Sequence, residues 1–171
     1  MQKQIVSIIE DFRVFDGTVL VEDVQSCTLP KITNPVTTIS GSGMAGNIDM
    51  PDSSRVSSMA YSLAHNNGLN CGMLCRPGVH DNEFRTSVQV YDKEKGTMVR
   101  KSVKHRLRGF FAGEEKGTIQ RGNPLGSTVN FNCIRYEREE DGVITQRIDI
   151  PAGIIEYGGV SYTSETQNLL D

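Results

Sequence analysis

The chain has 171 residues, a formal net charge of −3 and a pI near 5.6, and its length fits a single domain over residues 1–171 with a proper core. The small excess of acid argues against general nucleic-acid binding, which rests on cationic contacts with phosphate, and no apolar run is long enough to span a bilayer. The opening MQKQIVSIIEDF carries acids where a signal peptide needs an apolar segment, so we expect cytosolic synthesis and reduced cysteines.

The first part of the chain predicts a hairpin followed by a further extended segment. Residues 12–15 are strand-like, Asp16-Gly17 is a strong turn signal, and residues 18–22 form the predicted return strand. Residues 24–32 are also extended, and Pro30 within them suits the end or the edge of a strand.

The stretch that follows predicts a projecting, glycine-rich β-arm over residues 41–54. An extended run over residues 35–40 leads into a segment of small residues, and a second run reaches Asp52. Pro51 lacks a backbone donor and biases Met50 toward extended geometry, so no helix is expected to follow. An arm with little apolar content does not stabilise itself in water. It therefore needs a partner surface, in its own chain or in another.

Gly41, Gly43 and Gly46 spell G-x-G-x-x-G, the dinucleotide-binding fingerprint. That motif works only where a helix begins at the glycines, because the N-terminus of the helix holds the pyrophosphate. Pro51 arrives too soon for such a helix, and no β-α-β pattern surrounds the motif. We therefore interpret it as a turn in the arm, with no cofactor.

Beyond the arm, the sequence predicts one strand and one helix. Residues 54–63 are extended, with the more apolar face carrying Ser57, Met59, Tyr61 and Leu63. Residues 66–76 are the best helix candidate, because an asparagine can cap the start, apolar residues recur at helical spacing and Pro77-Gly78 ends the segment.

The second half of the chain reads as an antiparallel series joined by turns. The predicted strands cover residues 84–91, 97–111, 128–138, 143–150, 154–157 and 160–162, and residues 164–171 form a frayed helical turn or a tail. A polar connection is predicted over residues 112–127. The whole pattern predicts a mainly β fold of two packed antiparallel sheets, sandwich-like or barrel-like, with one short helix.

Cys71 and Cys75, with His65 and His80 nearby, raise the question of a metal site. The histidines flank the cysteines loosely and no second cysteine pair exists, so buried free cysteines acting as small hydrophobic residues are the favoured interpretation. No G-x-S-x-G motif and no distinct pair of carboxylates is present, so nothing in the sequence indicates an enzyme.

The predicted strand over residues 97–111 carries a basic run without an acid. It could bind phosphate, form a solvated face paired with acids, or contact another subunit. The net charge favours pairing over phosphate binding. The acids considered as partners are Glu114, Glu115, Glu137, Glu139 and Glu140. The candidates for a charged interface are Arg100, Lys104, Arg106, Arg108, Glu114 and Glu115.

Several segments, in order, resemble one known family. SCTLPKIT followed by GSGMAGNIDMP, then Arg106-Leu107-Arg108-Gly109, VNFNCIRYEREEDG and ITQRIDIPAGIIEYGGV are similar to the major tail tube proteins of contractile-tailed phages and related tailocins. The resemblance extends over residues 12–160. It implies subunits with two packed β-sheets and a helix, arranged as hexameric rings that stack into a hollow tube. It also implies no catalytic residues and no cofactor.

The resemblance further implies the partners and the location. The partners are copies of the chain, the tail sheath protein, the tape-measure protein and the baseplate or tail-initiator proteins, with passage of DNA without specific binding and no membrane. The protein would reside in the virion after assembly in the host cytoplasm. The long loop reaches the neighbouring ring or subunit, and the contact candidates within it are Gly41, Gly43, Met44, Gly46, Asp49, Met50 and Asp52.

Two alternatives stay open at this stage. A tube of a type VI-like injection system shares the architecture. A monomeric β-sandwich binding module would instead use the basic strand for an anionic ligand.

Overall fold

Antiparallel strands dominate the fold, as the alternating sequence predicts. The computed structural model describes residues 4–67 and 71–170. The strands in chain order are β1 (Gln4–Asp16), β2 (Val19–Val21), β3 (Val24–Thr28), β4 (Val36–Ile39), β5 (Ile48–Pro51), β6 (Met59–His65), β7 (Val79–Asp92), β8 (Thr97–Glu115), β9 (Ser127–Glu140), β10 (Val143–Asp149), β11 (Ile154–Tyr157) and β12 (Val160–Ser161). A short helix, α1 (Ser164–Asn168), follows. The prediction of a mainly β fold with two antiparallel sheets and one short helix is confirmed.

The main sheet divides at β9. Its principal path runs β12-β11-β10-β9-β8-β7-β1-β2. The first half of β9 also pairs with β6, from Met59 opposite Cys133 to His65 opposite Ser127, and β6 in turn pairs with β3. The second half of β9 pairs with β10. The long strand β9 thus belongs to two branches, and this gives the molecule a second layer.

The core lies where the β6 branch folds over the face of β7 and β8. Tyr61 of β6 stacks on Phe131 with ring centroids 4.9 Å apart and meets Phe84 of β7 edge-on at 6.2 Å. Met59, Tyr61 and Leu63 are all buried, so the apolar face predicted for this strand is confirmed. The Tyr61 hydroxyl donates a 2.6 Å hydrogen bond to Oδ1 of the buried Asn82, which satisfies a polar group inside the core.

The predicted turns are found, and three strands, β1, β7 and β8, are longer than expected. Asp16-Gly17 joins β1 to β2, and residues 92–96 join β7 to β8 in a hairpin closed by the Gly96 amide on the Asp92 carbonyl at 2.9 Å. The connection predicted over residues 112–127 is wrong at its start, because β8 continues to Glu115. Gly113 does not end the strand: it pairs with Asn130 beside a register shift, where a bulge absorbs the irregularity.

The helix predicted over residues 66–76 is wrong for the part of it that the structure describes. Residues 68–70 lie outside the described residues, and beyond them Cys71–Met73 form a single 3-10 turn. Gly72 inside the segment disfavours a regular helix. Leu74, one of the apolar residues taken as helical, packs into the core instead.

Candidate assembly interfaces

The arm is a hairpin with a sheet of its own. Strands β4 and β5 pair with each other, from Val36 opposite Pro51 to Ile39 opposite Ile48, and every residue in both strands is exposed. The base is closed by the Asp52 amide, which donates to the Pro35 carbonyl at 2.8 Å. A β-hairpin therefore occupies this stretch, with strands at residues 36–39 and 48–51 rather than the bounds 41–54 predicted for the arm. Hydrogen bonds across its base define where the hairpin leaves the rest of the chain.

The contact candidates within the arm fall into three places. Gly41, Gly43, Met44 and Gly46 lie in the loop between β4 and β5, and the G-x-G-x-x-G pattern leads into strand β5 rather than into a helix. Asp49 and Met50 lie in β5. The Asp49 carboxylate accepts a 2.7 Å hydrogen bond from the Thr38 hydroxyl across the hairpin.

Asp52 stabilises the turn at the base of the arm through its side chain. Its carboxylate accepts hydrogen bonds from the Ser54 hydroxyl at 2.6 Å and from the Ser54 amide at 3.0 Å. These bonds lower the pKa of Asp52. Asp52 thus shapes the turn that returns the chain to the body, as expected for an aspartate that bonds the backbone two residues ahead.

One face of the arm is apolar, although the sequence predicted little apolar content for it. The pairing places Ile39 opposite Ile48 and Thr37 opposite Met50, so Ile39, Ile48 and Met50 share one face. These side chains are 44%, 57% and 60% exposed. The sequence pattern that could have predicted this face is the alternation Ile48-x-Met50. It is short, but it follows the two-residue period of a half-buried strand. Because an isolated two-stranded hairpin is marginally stable in water, we expect another surface to cover this apolar face.

The basic strand β8 is matched by carboxylates on its neighbours. Arg100 donates to Glu10 at 2.9 Å, Lys104 lies 3.4 Å from Glu139, and Arg108 forms a two-point contact with Asp81 at 2.6 and 3.0 Å. Arg106 contacts Glu83, Glu137 and Glu139 at 3.4, 2.7 and 2.8 Å. The cations of this strand thus form a compensated face with acids from β1, β7 and β9.

Glu137 is the centre of this charged face. Its carboxylate receives hydrogen bonds from Arg106 at 2.7 Å and Arg147 at 3.1 Å, and Arg135 lies 3.6 Å away. The side chain is only 5% exposed. Burial by itself raises the pKa of Glu137, but the hydrogen bonds from Arg106 and Arg147 outweigh it, and the pKa lies below its ordinary value. The residue is therefore a buried carboxylate held charged by arginines.

The acids that balance the basic strand were predicted only in part. Glu137 and Glu139 were considered, whereas Glu114 and Glu115 lie at the far end of β8, opposite Val129 and Thr128. Glu83 was missed, although the short turn from β7 to β8 fixes the register that places it opposite Arg106. Counting residues outward from that turn along both strands would have predicted the pairing of Glu83 with Arg106.

In the described part of the chain, the histidines and cysteines form no cluster of metal ligands. His80 contacts the Asp16 carboxylate through Nδ1 at 3.2 Å and the Arg76 carbonyl through Nε2 at 2.7 Å. His65 ends β6, and Cys75 packs half-buried against the core. Within residues 4–67 and 71–170 no group of three or more potential metal ligands occurs; the side chain of Cys71 lies outside the description.

An open groove of about 730 Å³ lies between the β1–β2 hairpin and residues 73–81. Its lining includes Val19, Leu20, Met73 and Val79, which are 51%, 44%, 55% and 56% exposed. No pattern in the sequence predicts this groove, because it is assembled from segments far apart in the chain. Asp16, Glu22 and Arg76 also line it, so the groove is a surface of mixed polarity, separate from the arm.

Exposed apolar side chains on a hairpin that pairs with no other strand of the described chain are typical of a surface that contacts another chain. On this β-rich fold they indicate a protein that assembles with other chains. The family profile described as phage tail tube protein FII matches residues 6–170, and the chain belongs to this family. A comparison with curated proteins finds no match.

Family membership makes the chain a structural subunit of a phage tail tube and a component of the virion. The family is structural rather than enzymatic, and its members assemble with copies of themselves and with other tail proteins. Among the described residues, no helix combines the length and hydropathy needed to cross a lipid bilayer.

Proposed function

We propose that the chain forms hexameric rings that stack into the inner tube of a contractile phage tail or a related tailocin, with a channel for DNA or ejected protein. The observation that carries this proposal is the arm, whose apolar face is exposed in the subunit. Residues 1–171 act as a single tail tube domain, and residues 41–54 make the contact between subunits. The sheath, tape-measure and tail-initiator proteins are the further partners.

To build a tube, each chain needs two kinds of interface with its neighbours. A head-to-tail contact that closes on itself makes a ring, whereas one that stays open propagates along an axis. An arm that docks on a different surface of the next copy can make such a head-to-tail contact, either within a ring or between rings. A ring contact and an axial contact on one chain together produce a tube.

The compensated charges on β8 support passage of DNA without specific binding. Phosphate binding gains its free energy from unpaired cations that replace counterions. Arg106 and Arg108 are already held by carboxylates on neighbouring strands, so phosphate would have to compete with them. The same pairing speaks against a monomeric module that binds an anionic ligand through this strand.

Electron microscopy and light scattering of the purified protein test the proposal. We expect rings or tubes that become more abundant as the concentration rises. A species that stays monomeric at high concentration, even with tail-initiator proteins, would contradict it. A gel-shift assay at low salt is the companion measurement, in which the folded protein should leave duplex DNA unshifted.

A further inference from the structure

The His80 side chain joins two segments that border the groove. Its ring is only 6% exposed, and Phe131 of β9 meets it edge-on at 5.4 Å. The Nδ1 atom lies 3.2 Å from a carboxylate oxygen of Asp16, at the β1–β2 turn, and the Nε2 atom lies 2.7 Å from the backbone carbonyl oxygen of Arg76. The ring therefore links the turn to residues 73–78, on two sides of the same groove.

Both partners of this ring can only accept hydrogen bonds. An ionised carboxylate and a backbone carbonyl offer lone pairs but no hydrogen, and a neutral imidazole has a single N–H group. A neutral ring would therefore donate to one oxygen and present a lone pair to the other. Because water has little access to the ring, that second contact would leave two buried acceptors facing each other, which costs free energy. Both hydrogen bonds form together only when each ring nitrogen carries a proton.

The segment on the far side of the ring is short and exposed. Arg76 and Pro77 are exposed, Leu74 before them is buried in the core, and the Gly78 carbonyl after them accepts a 3.2 Å hydrogen bond from the Phe111 amide. Gly78 has a φ of +129°, a conformation that glycine adopts readily and other residues rarely. The chain between these two anchor points can move away from the β1–β2 turn while Leu74 stays in the core.

The groups around the ring determine what a change in its charge would do. The titratable and charged side chains on the neighbouring strands and loop are Asp16 of β1, Tyr61 of β6, Asp81 of β7 and Arg76. The Asp16 carboxylate faces the ring. Burial raises the pKa of Tyr61, so this hydroxyl stays uncharged. The other two side chains are held elsewhere, by Arg108 and by the Met73 carbonyl. Asp16 is therefore the partner of a charge on His80.

We propose that His80 is a proton-controlled latch on the groove. With two protons, the ring holds the Asp16 carboxylate and the Arg76 carbonyl together. When the ring loses one proton, it keeps the charge-assisted partner, Asp16, and releases residues 75–78 from the β1–β2 turn. This inference goes beyond the proposed function and does not depend on it, because every group of the latch belongs to one subunit.

Hydrogen exchange across a pH series tests the latch. Exchange in the peptide covering residues 74–79 is measured by mass spectrometry and corrected for the intrinsic effect of pH. Protonation of His80 is followed by NMR of 15N-labelled histidine, with its signal assigned from the His80→Gln variant. The series begins at about pH 5 and is extended upward until the His80 signal shows the loss of a proton. We expect protection of this peptide to fall about tenfold in step with that loss.

Two outcomes of this series would overturn the proposal. One is protection that stays constant while His80 loses its proton. The other is a ring that is already neutral at the start of the series while the peptide is protected. Neither measurement needs rings or tubes, so a failure of the latch would leave the proposed function intact.

An asparagine at position 16 separates the latch from other effects of pH. In Asp16→Asn, the side-chain amide can donate to Nδ1 of a neutral ring, while Nε2 still donates to the Arg76 carbonyl. Asn-Gly also suits the turn to β2, so the fold should be retained. We expect protection of residues 74–79 that no longer depends on the protonation of His80. The matched control is Asp81→Asn, which removes a carboxylate from the adjacent position on β7 and should respond to pH like the wild type. A full response in Asp16→Asn would overturn the latch.

Discussion

The body and the arm are both made of antiparallel strands with alternating side chains, yet they use their apolar residues in opposite ways. In the body, Tyr61 and Phe131 are 2% and 0% exposed, whereas Ile48 and Met50 on the arm are 57% and 60% exposed. The apolar face of β6 is covered by the same chain, and that of the arm is left open. Alternation in a strand therefore predicts an apolar face, but it does not show whether the same chain covers that face.

Because the two regions differ in this way, the free energy of unfolding and the free energy of assembly should depend on different residues. Substitutions in the body should change the free energy of unfolding of the subunit, and substitutions in the arm should change the free energy of assembly. The predictions below test that separation by measuring both quantities for each variant, by denaturant unfolding and by light scattering.

The largest effect on unfolding is expected at the centre of the core. Phe131→Ala removes a fully buried ring that stacks on Tyr61 and meets Phe111 edge-on. The lost burial and the cavity should lower the free energy of unfolding by about 3–5 kcal/mol, measured by urea denaturation.

The control is Phe110→Ala, which removes the same side chain at a position that is 47% exposed on β8. We expect a change of about 0.5 kcal/mol, as is usual for surface substitutions. Equal destabilisation by the two variants would show that the core is placed wrongly.

The second-largest loss of unfolding free energy is expected for the charged face of β8. Glu137→Gln keeps the shape of the side chain but removes the charge that Arg106 and Arg147 share. Hydrogen bonds to charged groups contribute about 1.5–3 kcal/mol, and we expect a loss of this size in denaturant unfolding. Glu140→Gln on the same strand breaks a more exposed pair with Arg138 and should cost less than about 1 kcal/mol.

The contribution of Glu137 should depend on pH in a definite direction. Its pKa in the folded state lies below the ordinary value of 4.5. The stabilisation is therefore present above pH 4.5 and is lost as the pH falls through the lower folded-state pKa. The difference in unfolding free energy between wild type and Glu137→Gln should shrink on acidification, and a difference that grows at low pH would contradict this assignment.

The sequence predicted most of the body because local signals determine it. The turn at residues 92–96 fixes the register of β7 and β8, and with it the pairing of Glu83 and Arg106. The pairing of β6 with β9 joins segments far apart in the chain, so no local signal could give it. The groove was missed for the same reason, and the apolar face of the arm was missed because each of its strands contributes only four residues.

A smaller effect is expected where two backbones approach closely. A Cβ atom at Gly109 would lie 2.7 Å from the Asn132 carbonyl oxygen and 2.9 Å from the Tyr61 ring. Gly109→Ala should therefore force the β6 branch away from β8 and cost about 1–3 kcal/mol, as overpacked cores do. Gly113→Ala, on the same strand with open space around its Cβ position, is the matched control and should unfold like the wild type.

The smallest effect on unfolding, and the most complete effect on assembly, is expected for the arm. Residues 36–51 can be replaced by Asn-Gly, because Pro35 and Asp52 are already joined by a 2.8 Å hydrogen bond and a two-residue turn closes a hairpin. The removed strands have exposed side chains and pair with each other, so the core loses none of its residues. The urea midpoint should stay within experimental error, while light scattering should detect no tubes. A variant that unfolds would show that the arm stabilises its own subunit, and one that still builds tubes would assign stacking to another surface.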